Sequence, residues 1–374
     1  MSKKIERYQR KVSNVVAKSG IAGLYDIATE AIKIRCHRTL LKNQMFHGAI
    51  NSLYRQEISN PKVDLVYLEL TNNCNLNCEM CTFKKVQEKI GNMSKQLFES
   101  CVDQISEMGA NRLYLHGAGE SLLHPNFKDC LKYAISKRDE GKIKSVAWVD
   151  NGMLFNQSIA DLVVDLKVDE INFSLDGVGK VNDNIRLGSI YSIIERNIKY
   201  LISKRGKNAK PIVTIGMVDY GKTEEQKNDV YREWAPFADS IALIPALLPD
   251  NSWGNKNDFI GSSLLGEQPP SCNVPFNMMI ISWNGNVSGC CIDYCYKLKV
   301  GNALKEPLSQ IWRGPKYQAL RRAVLARTYP PGSPCSKCDF WKINFVVTEK
   351  PILNGEAIIE YRNMYRTVRK VARN

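Results

Sequence analysis

Six short apolar runs alternate with helical patterns between residues 65 and 245, and this alternation limits the possible folds more than any other feature. The runs are Leu65–Thr71, Arg112–His116, Ser145–Val149, Glu170–Leu175, Ile212–Val218 and Ser240–Pro245. After the first run, Ser94 is a predicted N-cap. Phe98, Cys101, Val102, Ile105 and Met108 then form one helix face, and Gly109 stops it. A second helical pattern passes through Ile190, Ile193, Ile194, Ile198 and Leu201. Alternating strands and helices predict parallel βα units, since parallel neighbours need a crossover. Six units instead of eight predict an α/β fold with an open, partial (β/α)6 TIM-like barrel, its ligands at the C-terminal strand ends.

Composition narrows the class further. Hydrophobic residues make up 44% and charged residues 24% of 374, enough apolar surface for a packed core and too much for a disordered chain. Apolar runs such as Met278 to Ile281 fall far short of the roughly 20 residues of a membrane span. The N-terminus, MSKKIERYQR, lacks the apolar centre of a secretory signal, so a cytoplasmic location is expected. The net charge of +14 sits mostly in the first sixty and last twenty residues. A nearly balanced middle makes nucleic acid an unexpected partner.

The organisation divides into four parts. Residues 1–60 read as a basic helical extension and 61–250 as the barrel core. Residues 251–345 begin with a Gly/Asn/Ser/Pro-rich linker. A hairpin follows, with strands Asn277–Ser282 and Val287–Cys290 joined by a polar turn with Gly285, then a helix around Leu308–Leu325. Residues 346–374 read as a basic amphipathic helix. Ile358, Tyr361, Tyr365, Val368 and Ala372 recur at helical steps, with Arg362, Arg366, Arg369 and Arg373 as a second stripe. Such a stripe is a solvated face or an attachment site for a polyanion, such as an anionic membrane surface or a nucleotide- or lipid-linked substrate.

Twelve cysteines without an export signal point to metal or cluster binding. Cys74, Cys78 and Cys81 form C-x3-C-x2-C directly after the first strand. Three thiolates on one loop can hold three corners of a [4Fe–4S] cluster and leave one iron open. A zinc site is the alternative, but structural zinc normally takes four ligands and no fourth lies nearby. Cys272, Cys290, Cys335 and Cys338 form a second set. Cys291 competes with Cys290, and strand alternation favours only one of the two. Cys101 and Cys130 fall on apolar helix faces and read as core.

The motifs resemble those of the radical S-adenosylmethionine (SAM) superfamily. Met80 occupies the position before the third cysteine, usually aromatic in that family. Gly117-Ala118-Gly119-Glu120 resembles its GGE motif, Ser174-Leu175-Asp176-Gly177 its SLDG run and Ile185-Arg186-Leu187-Gly188 its IRG segment. The resemblance implies SAM as cofactor, chelated at the open iron. It implies SAM contacts from Met80, Gly117, Gly119, Glu120, Asn151, Ser174 and Asp176, with Arg186 pairing with the carboxylate. The second cysteine set resembles the shortened SPASM, or twitch, domain. That implies one auxiliary [4Fe–4S] cluster on Cys272, Cys290, Cys335 and Cys338; a four-cysteine zinc site has the same spacing.

The expected activity follows from this resemblance. Reductive cleavage of SAM gives a 5′-deoxyadenosyl radical, which takes hydrogen from a small, carbohydrate-like substrate. A four-ligand auxiliary cluster favours a two-electron oxidation of alcohol to ketone, with a flavodoxin or ferredoxin as reducing partner. The alternatives are epimerisation, with Cys295 or Cys291 as hydrogen donor, and peptide maturation. A non-catalytic Fe–S electron carrier is the reading from another class. His116 and His124 flank the glycine motif and read more readily as satisfied polar groups than as bases.

Overall fold

The computed structural model describes residues 58–374 except 82, 84–88, 220–223, 246–271, 273, 292, 294–296, 327, 330, 337, 339–347, 351–357, 364–365 and 372–374. The basic extension before residue 58, Cys36, the linker and Cys295 therefore lie outside the described residues.

All six expected strands form. In chain order come β1 (Leu65–Leu68), β2 (Asn77–Cys78), α1 (Lys95–Glu107), β3 (Arg112–Leu115), α2 (Phe127–Asp139), β4 (Ser145–Asp150) and α3 (Gln157–Asp165). Then come β5 (Glu170–Ser174), α4 (Lys180–Ile185), β6 (Arg186–Leu187), α5 (Tyr191–Arg205), β7 (Ile212–Asp219), α6 (Glu224–Trp234) and β8 (Ser240–Pro245). β1, β3, β4, β5, β7 and β8 pair in parallel in that order, each joined to the next through a helix, as a partial (β/α)6 barrel requires. The helix boundaries follow local chemistry. Ser94 Oγ accepts from the Leu97 N–H at the start of α1, and Gly109, at φ +67°, turns the chain out of it.

The strands have two unlike faces. On one, Val66, Leu68, Leu113, Leu115, Val146, Trp148, Ile171, Phe173, Val213 and Ile215 are buried against helix residues such as Phe98, Val102, Ile159 and Ile194. Each such fully buried side chain contributes about 1.5–3 kcal/mol, so this face carries the fold. The other face presents Tyr67 and Glu69 on and just after β1, Tyr114 on β3, Ala147 on β4, Glu170, Asn172 and Ser174 on β5, Thr214 and Gly216 on β7 and Ser240 on β8. A barrel interior is ordinarily filled by branched apolar side chains. This inner face is mostly polar or small.

The second half extends the same sheet. It contains α7 (Val274–Asn277), β9 (Met278–Ile281), β10 (Asn286–Ser288), β11 (Lys299–Asn302), α8 (Leu308–Arg313), α9 (Pro315–Ala326), β12 (Thr348–Lys350), β13 (Ile358–Asn363) and β14 (Arg366–Val371). The expected hairpin is β9–β10, turned at Gly285 with φ +80°. β9 also pairs in parallel with β1, from Leu65↔Met278 to Leu68↔Ile281, so the hairpin lies on the edge of the barrel sheet. The single helix expected around Leu308–Leu325 is two helices. Pro315 follows Gly314 and lacks the N–H that would continue the first.

The basic amphipathic helix expected over 346–374 is corrected. The strands β13 and β14 form an antiparallel hairpin there, and β14 pairs with β8 through Thr367↔Leu243, Val368↔Ala242 and Arg369↔Ile241. The physical reason is propensity. Ile358, Ile359, Tyr361, Thr367, Val368 and Val371 are β-branched or aromatic, and the open edge of β8 supplies backbone partners that an isolated helix would forgo. The helical stripe falls with the helix at Arg362, Arg366 and Arg369; Arg373 lies outside the described residues. Among the described residues no helix is long and apolar enough to cross a membrane.

Candidate active site

The three-thiol loop is tied down by its own backbone. Cys78, in β2, pairs with Arg186 in β6, and Asn77 with Leu187. The Glu79 N–H donates to the Ile185 carbonyl at 3.0 Å, and the Cys81 N–H to the Cys78 carbonyl at 3.2 Å. The motif around Arg186 is thus a rail for the cysteine loop. Met80 is half-buried in the turn just before Cys81. Cys74 is exposed, and Cys78 and Cys81 are half-buried. Desolvation by the packed loop pushes the Cys74 thiol up to about 11. The Glu120 carboxylate and the two other thiols add to this, and the Leu76 N–H opposes it.

The glycine motif docks on this loop. A Cβ on Gly117 would overlap the Glu69 side chain, and one on Gly119 would overlap the Asn73 carbonyl. Gly119 is present because two backbones meet there, and Gly117 because the Glu69 side chain fills the space a Cβ would take. The Glu120 N–H donates to the Asn73 carbonyl at 2.7 Å. Glu69, just past β1, accepts from the Ala118 N–H at 2.7 Å and from the Trp283 N–H at 3.3 Å, so one carboxylate joins the glycine loop to the β9–β10 turn. Sequence reasoning missed Glu69. Its signal was a carboxylate inside the apolar run Leu65–Leu70, directly before the cysteines.

Most of the other residues expected to touch SAM serve one another. The Asn151 N–H donates to Glu120 Oε2 at 2.9 Å, and its Nδ2 to Asn75 Oδ1 at 2.8 Å. Asp176 is fully buried. It accepts from the Val218 N–H at 2.7 Å and pairs with Arg186 Nη2 at 2.6 Å. Burial works against the Arg186 charge, but Asp176 and the nearby Cys78 and Cys74 outweigh it and raise its pKa. Arg186 Nε is buried and has no partner. Ser174 is half-buried at the end of β5, opposite Gly216.

Two carboxyls under the glycine loop sit above the usual carboxylate range. Burial pushes Asp150 up to about 6, opposed by hydrogen bonds from Trp148 Nε1 and the Gly152 N–H. Burial and the Asp150 charge raise Glu120 well above its ordinary value. Burial also drives His116 down to about 4, so its imidazole is neutral, set edge-on to Tyr67 at 5.6 Å. His124 is structural. Its Nδ1 accepts from the Asn126 N–H, so its Nε2 carries the proton to the Met93 carbonyl at 2.8 Å.

The second cysteine set gathers beside the sheet. Cys272, Cys290, Cys291 and Cys338 pack around Leu65, Val274 and Met278, with Tyr67 and Tyr114 from the inner face. Burial raises Cys272, and the charges of Cys290, Cys338 and Cys335 raise it further. Burial pushes Cys335 up to about 12, with Cys290 adding. Asp293 organises the turn after Cys290, accepting from the Leu298 and Lys297 N–H groups and from Ser288 Oγ. Beneath it, fully buried Tyr317 donates to the Met278 carbonyl at 3.0 Å and also reaches the Ser288 carbonyl.

These residues fit iron–sulfur clusters and SAM. Both sets are soft thiol donors, the ligand type that iron–sulfur clusters take. Arg186 Nε is a buried donor with no partner among the described residues, as a carboxylate-binding position would have before its ligand arrives.

Comparison with known proteins agrees. The family model for the radical SAM superfamily matches residues 68–233, and one for an iron–sulfur cluster-binding domain, SPASM, matches 272–339. A tungsten-containing aldehyde ferredoxin oxidoreductase cofactor-modifying protein from Pyrococcus furiosus is 25% identical, over 74% of this chain and 89% of that one. An S-adenosyl-L-methionine-dependent 2-deoxy-scyllo-inosamine dehydrogenase from Niallia circulans is 21% identical, over 74% of this chain and 92% of that one. The structure of Streptococcus suis SuiB bound to the precursor peptide SuiA shares the fold, with a TM-score of 0.59 at 15% identity, over 79% of this chain and 74% of that one. The chain belongs to the radical SAM superfamily and carries a SPASM domain, with SAM, a [4Fe–4S] cluster and auxiliary iron–sulfur as its cofactors.

Proposed function

We propose that this radical SAM enzyme oxidises an alcohol carbon of a small, polar, carbohydrate-like substrate to a ketone. The observation that carries the reading is the inner face of the sheet. Tyr114, Glu170, Thr214 and Ser240 form a hydrogen-bonded floor there, with Tyr114 Oη donating to Glu170 Oε2 at 2.8 Å and Thr214 Oγ1 to Glu170 Oε1 at 3.0 Å. Such a face suits a ligand rich in hydroxyl or amino groups. An apolar ligand would leave these groups poorly solvated. The similarity to the Niallia dehydrogenase points the same way.

Cys74, Cys78 and Cys81 would hold the SAM cluster. Gly117, Gly119, Glu120, Asn151 and Ser174 would surround SAM, with Arg186 Nε free to meet its carboxylate. Asp176 is a positioning residue in this reading, since it holds Arg186. Cys272, Cys290, Cys335 and Cys338 would hold one auxiliary cluster. Cys290 is preferred to Cys291 because its charge bears on Cys272 and Cys335. When bound, these cofactors supply hydrogen-atom abstraction and electron transfer. The neutral His116 offers an acceptor for the hydroxyl proton. A small low-potential electron carrier, a flavodoxin or ferredoxin, supplies the reductant.

The test is anaerobic turnover with SAM, dithionite and 2-deoxy-scyllo-inosamine or related cyclitols. Loss of two mass units from the cyclitol, matched one to one by 5′-deoxyadenosine, supports the reading. Solvent deuterium in a product of otherwise unchanged mass points instead to epimerisation. 5′-Deoxyadenosine with every cyclitol intact sinks the oxidation. A second reading draws on the Pyrococcus relative, whose name gives it a cofactor to modify. A polar cofactor precursor would meet the same face.

A further inference from the structure

The inner face carries an acceptor that nothing among the described residues satisfies. Asn172, in the middle of β5, is 5% exposed, and its Oδ1 is buried with no hydrogen-bond partner. Its register neighbours are Val149 on β4 and Thr214 on β7. Val149 has no donor to offer. The Thr214 hydroxyl is already engaged with Glu170 and with Ser240 Oγ at 2.7 Å. A buried acceptor without a donor weakens a fold, and such exceptions call for an explanation.

The neighbouring backbone leaves this amide in place. Gly216 lies against it, and a Cβ there would stand 2.5 Å from Asn172 Oδ1. Any side chain at residue 216 would displace the amide. Ala147 and Ala242 are likewise small on this face. Ser174 lies two residues further along the same strand, about 7 Å away, at the end where SAM is expected. Below stands the bonded floor of Tyr114 and Glu170.

We infer that Asn172 binds the substrate, its Oδ1 accepting a hydrogen bond from a hydroxyl or ammonium group of a polyol or aminopolyol on the inner face. This rests on the reading that the face takes a small polar substrate. It adds the residue that selects that substrate by its hydrogen-bond donor. The missing donor is thus supplied by the ligand, and the ligand-free protein is less stable than it would be with an apolar residue at this position. Sites built around an active role commonly trade stability in this way.

The experiment measures binding apart from turnover. Cluster-loaded protein with SAM is titrated calorimetrically with 2-deoxy-scyllo-inosamine, myo-inositol and glucosamine. At least one of these binds the wild type, and Asn172→Leu weakens it by about tenfold or more. SAM affinity stays the same, and the ligand-free variant melts no lower than wild type. Gly216→Ala, which alters no polar atom, weakens the same ligand by crowding the amide. The proposal is overturned if none of the three binds. It is also overturned if Asn172→Leu binds them as wild type does, or melts lower and loses SAM as well. Binding that depends on Asn172 without ketone formation sinks the oxidation and leaves this role standing. Ketone formation that Asn172→Leu does not slow does the reverse.

Discussion

Cys74, Cys78 and Cys81 come from eight consecutive residues, whereas Cys272, Cys290, Cys335 and Cys338 come from a span of 67. The first set is shaped by backbone pairing, chiefly the β2–β6 ladder and the contacts of Asn73 with the glycine loop. The second is assembled by packing, with α9 and the β9–β10 hairpin brought together around Tyr317. A loop that is already the right shape can leave one ligand position to a cofactor. In the proposed reading, a pocket closed from several directions, with four thiols for four irons, would leave none. The difference teaches that local spacing encodes the reactive site, while the auxiliary site is a consequence of the completed fold.

The largest expected effect comes from breaking one site at a time. Cys74→Ala should reduce 5′-deoxyadenosine formation by more than about a thousandfold, because the chemistry belongs to the cofactors that the loop holds. Iron content should fall from about eight to about four per chain. Cys335→Ala should lose a similar amount of iron, yet keep SAM cleavage and lose oxidised product. Iron assay and chromatography of both products check the pair. Equal loss of SAM cleavage in both variants would erase the distinction between the sites.

Stability should separate them next. Arg186→Ala leaves Asp176 buried and uncompensated and should cost about 3–5 kcal/mol. At the other site, Tyr317→Phe removes one hydroxyl that donates to the Met278 carbonyl and should cost about 1 kcal/mol. Denaturant unfolding of the two variants measures the gap.

The acid pair belongs to the first site. The Asp150 carboxyl is raised from its ordinary 3.8 to about 6 by burial. Its protonated form therefore stabilises the fold fully below pH 3.8, and that contribution is lost as pH rises through about 6. The loss amounts to something on the order of 3 kcal/mol. Asp150→Asn cannot ionise, so its melting temperature should improve relative to wild type between pH 4 and 7. His116, lowered to about 4, acts in the opposite sense, since its neutral form loses stability as pH falls. A difference between Asp150→Asn and wild type that stays flat over this range would contradict the assignment.

The narrowest comparison concerns two glycines. An Ala at Gly119 would press on the main chain of the cysteine loop, and one at Gly301 on the Ile311 side chain, 2.8 Å away. Both overpack and should cost about 1–3 kcal/mol. Only Gly119→Ala should also weaken SAM binding, which equilibrium dialysis reads directly.

Much of this was legible in the sequence because it rests on local rules. The six strands, the Ser94 cap and the β9–β10 hairpin follow periodicity and turn chemistry within a few residues. The cysteine loop was legible for the same reason. Arg186 was named for a role toward SAM, but its ion pair with Asp176 and its pairing with Cys78 appear only once β6 lies beside β2. The C-terminal segment misled because Ile358, Tyr361 and Val368, at helical steps, are also β-branched or aromatic, and an open sheet edge decided between the two patterns. Asn172 sits in a strand and Glu69 just past one, and the alternation marks both as inner-face residues. Nothing in the alternation tells that Glu69 reaches the glycine loop, or that Asn172 finds no partner.

The most direct test uses Cys272→Ala, loaded anaerobically so that only the three-thiol loop carries a cluster, reduced and observed by electron paramagnetic resonance. Adding SAM should shift the g-values, and SAM isotopically labelled at its amino nitrogen should add a hyperfine coupling. An identical spectrum with and without SAM, in protein holding about four irons, would contradict the account.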